Sequence, residues 1–248
     1  MSSGDSNQKS VDSKQTLQSI VDGYYENFYK RVHGSGGVGK LESWMHKALE
    51  SDAQPSKRLL EVGAGNFEHL PFIASQVDTY VAVDPRVPDQ EDLDRWRVKV
   101  IDVTEVATAT SGRFFVKSTV EEFGSHDVGR FDRIVATCVL LHLDDPASTM
   151  TTLLDLMEES GAQMRLLLPT EPSWLVNSWR TLMTRRRSKK LGFEHFDLVN
   201  AIDHQNYSQR ITTLSKYVFA NENWRRDSKP FASPFDILTP FSVIKVDR

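Results

Sequence analysis

Cysteine is almost missing from this chain, with Cys138 as its single representative. One cysteine excludes an internal disulfide, a zinc site built from several cysteines and a cysteine-ligated iron–sulfur cluster, and with the last it removes radical chemistry of that type. Long apolar runs are missing too. No stretch approaches the ~18 residues that mark a membrane span. The N-terminus "MSSGDSNQKSVDSKQ" is polar, lacks an apolar centre and does not read as a secretory signal. Positive charge is not in excess: 30 lysines and arginines stand against 34 aspartates and glutamates, a net charge of −4. That balance argues against a nucleic-acid partner. These absences favour a soluble, cytoplasmic protein. Its 248 residues, 39% of them apolar, suffice for one α/β domain with an elaboration, or for two small domains.

What is present begins with a tail, residues 1–15, whose composition predicts disorder. Residues 16–54 read as an N-terminal helical cap. Leu17, Ile20, Val21, Tyr24 and Phe28 recur at helical spacing. The glycine-rich stretch 33–39 interrupts them, and a second helix is predicted over 40–50. From residue 55 to 248 short apolar runs alternate with helical stretches. The runs 58–62, 79–83, 113–117, 132–139 and 164–169 are rich in Val, Leu and Ile with little polar alternation, as strands covered on both faces should be. Asp145 and Pro146 mark a helix start, Met150, Leu153, Leu154 and Met157 its apolar stripe, and Gly161 its stop. Repeated strand–helix–strand units imply right-handed crossovers and an open, doubly wound, mostly parallel sheet. Residues 173–208 interrupt the rhythm as a helical insertion. Ile211, Leu214 and Val218 predict one more helix, and 236–246 a last strand.

The stretch "RLLEVGAGNFEHL", residues 58–70, carries the first functional signal. In a doubly wound sheet, ligands bind beyond the C-terminal ends of the strands, near the turn after the first. Gly63 and Gly65 fall there, where glycine permits a sharp turn and a close ligand approach. Asp84, ending the second run in "YVAVDP", is placed to accept hydrogen bonds from both hydroxyls of an adenosine ribose. The dinucleotide fingerprint needs a glycine at position 68, yet Glu68 stands there, a carboxylate that would face pyrophosphate. No Gly-Lys-Ser/Thr follows, so the phosphate-loop pattern fails as well. An adenosine cofactor without phosphate, S-adenosylmethionine, remains.

Together "EVGAGN" and "VAVDP" resemble class I S-adenosylmethionine-dependent methyltransferases. The resemblance runs in order through "RFFVKSTVEEF" (113–123), "FDRIVATCVLLHLDDP" (131–146) and "GAQMRLLLPTEP" (161–172). It implies an α/β Rossmann-like fold with a mostly parallel seven-stranded sheet, N-terminal helices and a helical insertion after the fifth strand. It further implies that Glu61 reaches toward the methionine amino group, directly or through water. Gly63, Ala64 and Gly65 would leave room for methionine and ribose, Asp84 would hold the ribose, and Ser118 and the Thr119 N–H would meet adenine. Ala136, Thr137 and Cys138 would pass beside the sulfonium. Phe67 replaces the family's third glycine. It is expected to point away where the chain enters its helix. Ser118 replaces the usual aspartate.

Methyl transfer from a sulfonium needs few fixed groups, chiefly positioning, exclusion of water and removal of a proton. His142, just past the fourth family strand, is the candidate general base. Asp145 is read as a helix cap. Glu171 is read equally as a substrate contact or a turn residue. His204, Asn206 and Tyr207 are read as packing in preference to a substrate-facing role, and Tyr24, Tyr25 and Tyr29 as core in preference to lining the entrance. His33, His69 and His195 lack metal-ligand spacing, and no metal is expected. The run 184–190 is read as a solvated basic face. The resulting expectation is an enzyme that methylates an oxygen or nitrogen of a small-molecule acceptor, with no membrane partner and no oligomeric state legible. Two alternatives remain open at this point: an RNA or protein methyltransferase using the basic run, and a non-catalytic binding protein that keeps the fold. A dehydrogenase is disfavoured by Glu68.

Overall fold

Among the described residues, eight strands build the sheet of the computed structural model: β1 (Ser56–Val62), β2 (Val77–Asp84), β3 (Val98–Val100), β4 (Gly112–Lys117), β5 (Arg133–Thr137), β6 (Gln163–Pro169), β7 (Asn223–Lys229) and β8 (Phe241–Asp247). Their order across the sheet is β3-β4-β2-β1-β5-β6-β8-β7. The structure describes residues 17–33, 36–73, 77–171, 173, 176, 178, 180–229 and 239–248. The tail expected over residues 1–15 and part of the predicted strand 236–246 lie outside the described residues.

Strands β1 to β6 run parallel, and β8 pairs antiparallel with both β6 and β7. The expectation of seven strands is therefore corrected to eight. The two strands without a sequence signal are the sheet's outer ones. β3 is three residues long and β7 reads "NWRRDSK". An edge strand has solvent on one side and does not need the continuous apolar run that marks a central strand.

Successive side chains of the central strands face opposite layers. Leu60 and Val62 join one apolar layer, with Phe123, Met150, Leu153 and Ile211 from the helices Val120–Gly124, Pro146–Asp155 and Ser208–Val218. Leu59 joins the other, with Leu49, Leu70, Ile73 and Leu93 from the helices Gly36–Glu50, Leu70–Ile73 and Gln90–Trp96. Three cations interrupt the apolar strands. Arg133 bonds Glu50, Arg165 lies 2.7 Å from Asp247, and Lys245 lies 2.7 Å from Asp52 and 2.9 Å from Asp227. Each buried charge is thus paired, as burial requires.

Two predicted helix boundaries shift. The second N-terminal helix begins at Gly36, inside the glycine-rich stretch. The helix capped by Asp145 ends at Asp155, well before Gly161. The cap itself is as expected: the Asp145 carboxylate accepts from the N–H groups of Ala147 and Ser148, each at 3.1 Å. A third apolar cluster joins Val21, Tyr24 and Val32 to Phe193, Phe196 and Val199. Through it the N-terminal helices pack on the inserted segment, beyond the C-terminal ends of the strands.

Candidate functional site

A cavity of about 460 Å³ opens at the C-terminal ends of β1 and β5, between the sheet, the N-terminal helices and the insertion. Its wall includes Glu61, Gly63, Ala64, Gly65, Thr137, Cys138 and His142. The cavity therefore brings together most of the residues that the sequence reading assigned to cofactor and chemistry.

The turn after β1 is set by sterics. Gly63 has φ +68° and Gly65 φ +51°. The Gly63 N–H donates to Val83 O at 2.8 Å, and a Cβ at Gly63 would overlap the Cγ2 methyl of Val139. Phe67 departs from expectation. It has φ +62°, is fully buried, and packs edge-on against Phe115 with ring centroids 6.2 Å apart. The helix begins only at Leu70. The third family position therefore keeps the left-handed backbone of a glycine, and the ring anchors the loop in the core.

Glu61 is fully buried, and Tyr80 Oη donates to it at 2.5 Å. Burial pushes its carboxyl up to about 7, against the opposing effects of His69 and the Tyr80 hydroxyl. Glu68 turns back into the glycine loop and accepts from Asn66 N at 3.0 Å. Burial raises its carboxyl as well. That placement supports the argument against pyrophosphate at this turn.

Asp84, Ser118 and Thr119 lie outside the cavity wall. They form a neighbouring group at the ends of β2 and β4. Asp84 accepts from Gly65 N at 3.2 Å and Arg86 N at 2.8 Å, and Ser118 N donates to Asp84 O at 3.3 Å. The Ser118 hydroxyl donates to Thr119 O and Glu122, while the Thr119 hydroxyl caps the next helix by accepting from Glu122 N. Cys138 has φ +61°, and burial pushes its thiol up to about 12. The Thr137 hydroxyl oxygen is buried without a hydrogen-bond partner among the described residues.

His142 sits in a short helical turn after β5, with its Nδ1 3.0 Å from Asp203 Oδ2 and 3.1 Å from Asp203 O. Donation from Nδ1 fixes the tautomer and leaves the lone pair on Nε2. Asp203 also accepts from the Tyr25 hydroxyl. Burial would raise the Asp203 carboxyl, but the bonds and charge of His142, with Tyr25, hold it below the usual carboxylate range. His204 packs edge-on to His142, and its Nδ1 lies 2.9 Å from Glu171 Oε2. Asn206 Nδ2 donates to Leu143 O at 2.6 Å and ties the insertion to the turn carrying His142. Tyr207 is exposed.

The residues that sequence reasoning missed are Asp203, Glu42 and His46. All three line the cavity. His46 Nδ1 lies 2.9 Å from His69 Nδ1, and His69 Nε2 lies 2.9 Å from Glu50. Burial, then the neighbouring His69, lowers His46 to about 3. Tyr24, Tyr25 and Tyr29, for which the sequence left an entrance lining as the alternative to core, line the cavity. Arg186, Lys189 and Lys190 of the basic run are exposed, and Arg185 pairs with Asp197 at 2.8 Å. His142, Asp203 and His204 offer ligand atoms within 4.8 Å of one another, although each of these side chains is engaged in the bonds just described. Among the described residues, no helix is long and apolar enough to cross a membrane.

The family model described as "Methyltransferase domain" matches residues 37–223. No curated protein matches the sequence. Among solved structures, the chain is similar to the plantazolicin methyltransferase BpumL in complex with a triazolic desmethylPZN analogue and SAH. The TM-score is 0.58 at 12% identity, covering 97% of this chain and 100% of that one. The N-methyltransferase NodS from Bradyrhizobium japonicum WM9, in complex with S-adenosyl-L-homocysteine, gives 0.56 at 12% identity, covering 93% and 97%. Magnesium protoporphyrin IX methyltransferase (ChlM) from Synechocystis PCC 6803 with bound SAM gives 0.51 at 10% identity, covering 94% and 97%. With the family matched over most of its length and the Rossmann-like sheet in place, the chain belongs to the S-adenosylmethionine-dependent methyltransferases.

Proposed function

We propose that the chain transfers a methyl group from S-adenosylmethionine to an oxygen or nitrogen of a small-molecule acceptor, with His142 as general base and Asp203 as its positioning residue. The observation that carries the reading is the His142–Asp203 pair on the wall that also holds Gly63, Gly65 and Glu61. The residues present suit the cofactor. Glu61 is a buried carboxylate hydrogen-bonded by Tyr80, fit to receive an ammonium group. The Thr137 hydroxyl, without a hydrogen-bond partner among the described residues, lies at the end of the neighbouring strand β5, and Asp84 stands beside the glycine turn, fit to receive ribose hydroxyls. When bound, the cofactor supplies an activated methyl on a neutral leaving group.

The chain's own residues do the rest. Asp203 holds the imidazole in one tautomer, so His142 Nε2 accepts the acceptor's proton. The aromatic wall and the insertion exclude water. The glycine turn fixes donor against acceptor, and in-line alignment matters most in a displacement. The neighbouring structures include a plantazolicin methyltransferase, an N-methyltransferase and a magnesium protoporphyrin IX methyltransferase, a range that leaves the acceptor to be found by experiment.

Incubation of the protein with methyl-labelled S-adenosylmethionine and an extract of the cells that carry its gene tests this. Label is expected in the small-molecule fraction, with His142→Ala lowering the rate by about 10²–10⁴-fold while S-adenosylhomocysteine affinity is retained. Label in RNA or protein, or full activity in His142→Ala, would contradict the proposal.

A further inference from the structure

The cavity has a charge and a surface of its own. Four carboxylates, Glu42, Glu61, Glu68 and Asp203, line the cavity, and no lysine or arginine does so among the described residues. S-adenosylmethionine brings one ammonium, for which Glu61 is placed, and a sulfonium. Asp203 is committed to His142 and Tyr25, and Glu42 faces His33 Nδ1 at 2.6 Å. Glu68 is different: it bonds Asn66 N and Asn66 Nδ2 and has no cationic partner among the described residues. A desolvated carboxylate beside an apolar cavity is costly unless it takes up a proton or a positive charge joins it.

An aromatic wall stands against these acids. Tyr25 and Tyr29 stack with centroids 5.2 Å apart at 25°, and Tyr24 meets Tyr25 edge-on at 5.6 Å. Burial raises the Tyr29 hydroxyl well above its usual value, and the charges of Glu68 and Glu42 add to this; all three residues line the same cavity. The same wall already receives one cation: the Arg86 guanidinium lies 3.8 Å over the Tyr25 ring. Aromatic faces with nearby carboxylates attract ammonium groups and offer nothing to an anion.

Resting on the methyltransferase reading above, we infer that the acceptor is an amine that arrives protonated, carried on an apolar body, and held between the tyrosine wall and Glu68. A carboxylate acceptor would instead call for a lysine or arginine in the wall. The step balances with the groups on hand. The ammonium gives one proton to His142 Nε2. The freed nitrogen lone pair forms the new N–C bond as the methyl C–S bond breaks, and that electron pair leaves on sulfur. The His142 proton then passes to solvent.

The test uses the full chain saturated with S-adenosylhomocysteine and calorimetric titration with matched probes: 2-phenylethylamine, 2-phenylethanol and 3-phenylpropanoate, and the corresponding hexyl series. The amines are expected to bind at least tenfold more tightly than their alcohol and carboxylate partners. Glu68→Gln, which keeps shape and removes charge, is expected to cut that preference about tenfold. Equal or tighter binding of the alcohols or carboxylates, no binding by either amine, or an amine preference unchanged in Glu68→Gln would overturn the inference. Failure of S-adenosylhomocysteine itself to bind would instead overturn the methyltransferase reading on which it rests.

Discussion

Replacing Gly63 with alanine puts the steric account of the cofactor turn to a quantitative test. At φ +68° a Cβ costs about 1–2 kcal/mol. A Cβ built there overlaps the Cγ2 methyl of Val139 and lies 3.3 Å from Val139 Cβ, inside the ~3.5–4.0 Å at which carbon atoms attract. Val139 has little room to retreat, because the preceding Cys138 N–H is bonded to Leu167 O at 3.0 Å. Overpacking of this kind costs about 1–3 kcal/mol. Gly63→Ala should therefore lose about 2–5 kcal/mol in urea denaturation, and S-adenosylhomocysteine binding should weaken at least tenfold as the turn moves. The double variant Gly63→Ala, Val139→Ala removes the overlap and keeps the backbone strain. A double-mutant cycle should return a favourable coupling of about 1–3 kcal/mol. Wild-type stability in Gly63→Ala, or zero coupling, would refute the argument.

Other expectations follow from the same geometry. Phe67→Ala should cost about 3–5 kcal/mol by loss of a buried ring. Phe67→Gly should be at least as stable as Phe67→Ala in urea denaturation, because glycine relieves the strain at φ +62°, and the reverse order would show that the backbone there is unstrained. Glu61 has a carboxyl raised to about 7 by burial, so the folded state binds a proton that the unfolded state has released above ~4.5. Its contribution to stability is present below that value and is lost as pH rises toward 7. Glu61→Gln should therefore gain stability relative to wild type over that window, by on the order of 3 kcal/mol, and a pH-independent difference would contradict the burial argument. Asp203→Asn should lower kcat with KM for S-adenosylmethionine unchanged, and Asp203→Glu should restore part of the rate. Equal loss in both variants would point to a structural role.

The central strands were legible because β1, β2, β4, β5 and β6 are covered on both faces and so read as continuous apolar runs. β7 was not, because "NWRRDSK" carries one large apolar residue and owes its conformation to pairing with β8. At the site, Gly63, Gly65 and His142 could be read from local chain geometry. Asp203 could not. It lies in the insertion, among many other acids, and long-range contacts bring that segment over His142: the packing of Tyr24 and Val21 on Phe193, Phe196 and Val199, and the bonds of Asn206 to the turn that carries His142. Phe67 was read as turning away into a helix, but the helix starts later and the ring is buried. Local pattern identifies a glycine position without revealing that a core can hold another residue in a glycine's conformation.

The account rests most directly on the cavity beside Gly63 and Asp84 being a donor site, and calorimetric titration with S-adenosylhomocysteine, with NADH in parallel, measures that. Micromolar binding of S-adenosylhomocysteine, none of NADH, and a loss of about 1–3 kcal/mol in Asp84→Ala is the predicted result. No binding of S-adenosylhomocysteine to the folded wild-type protein would contradict it.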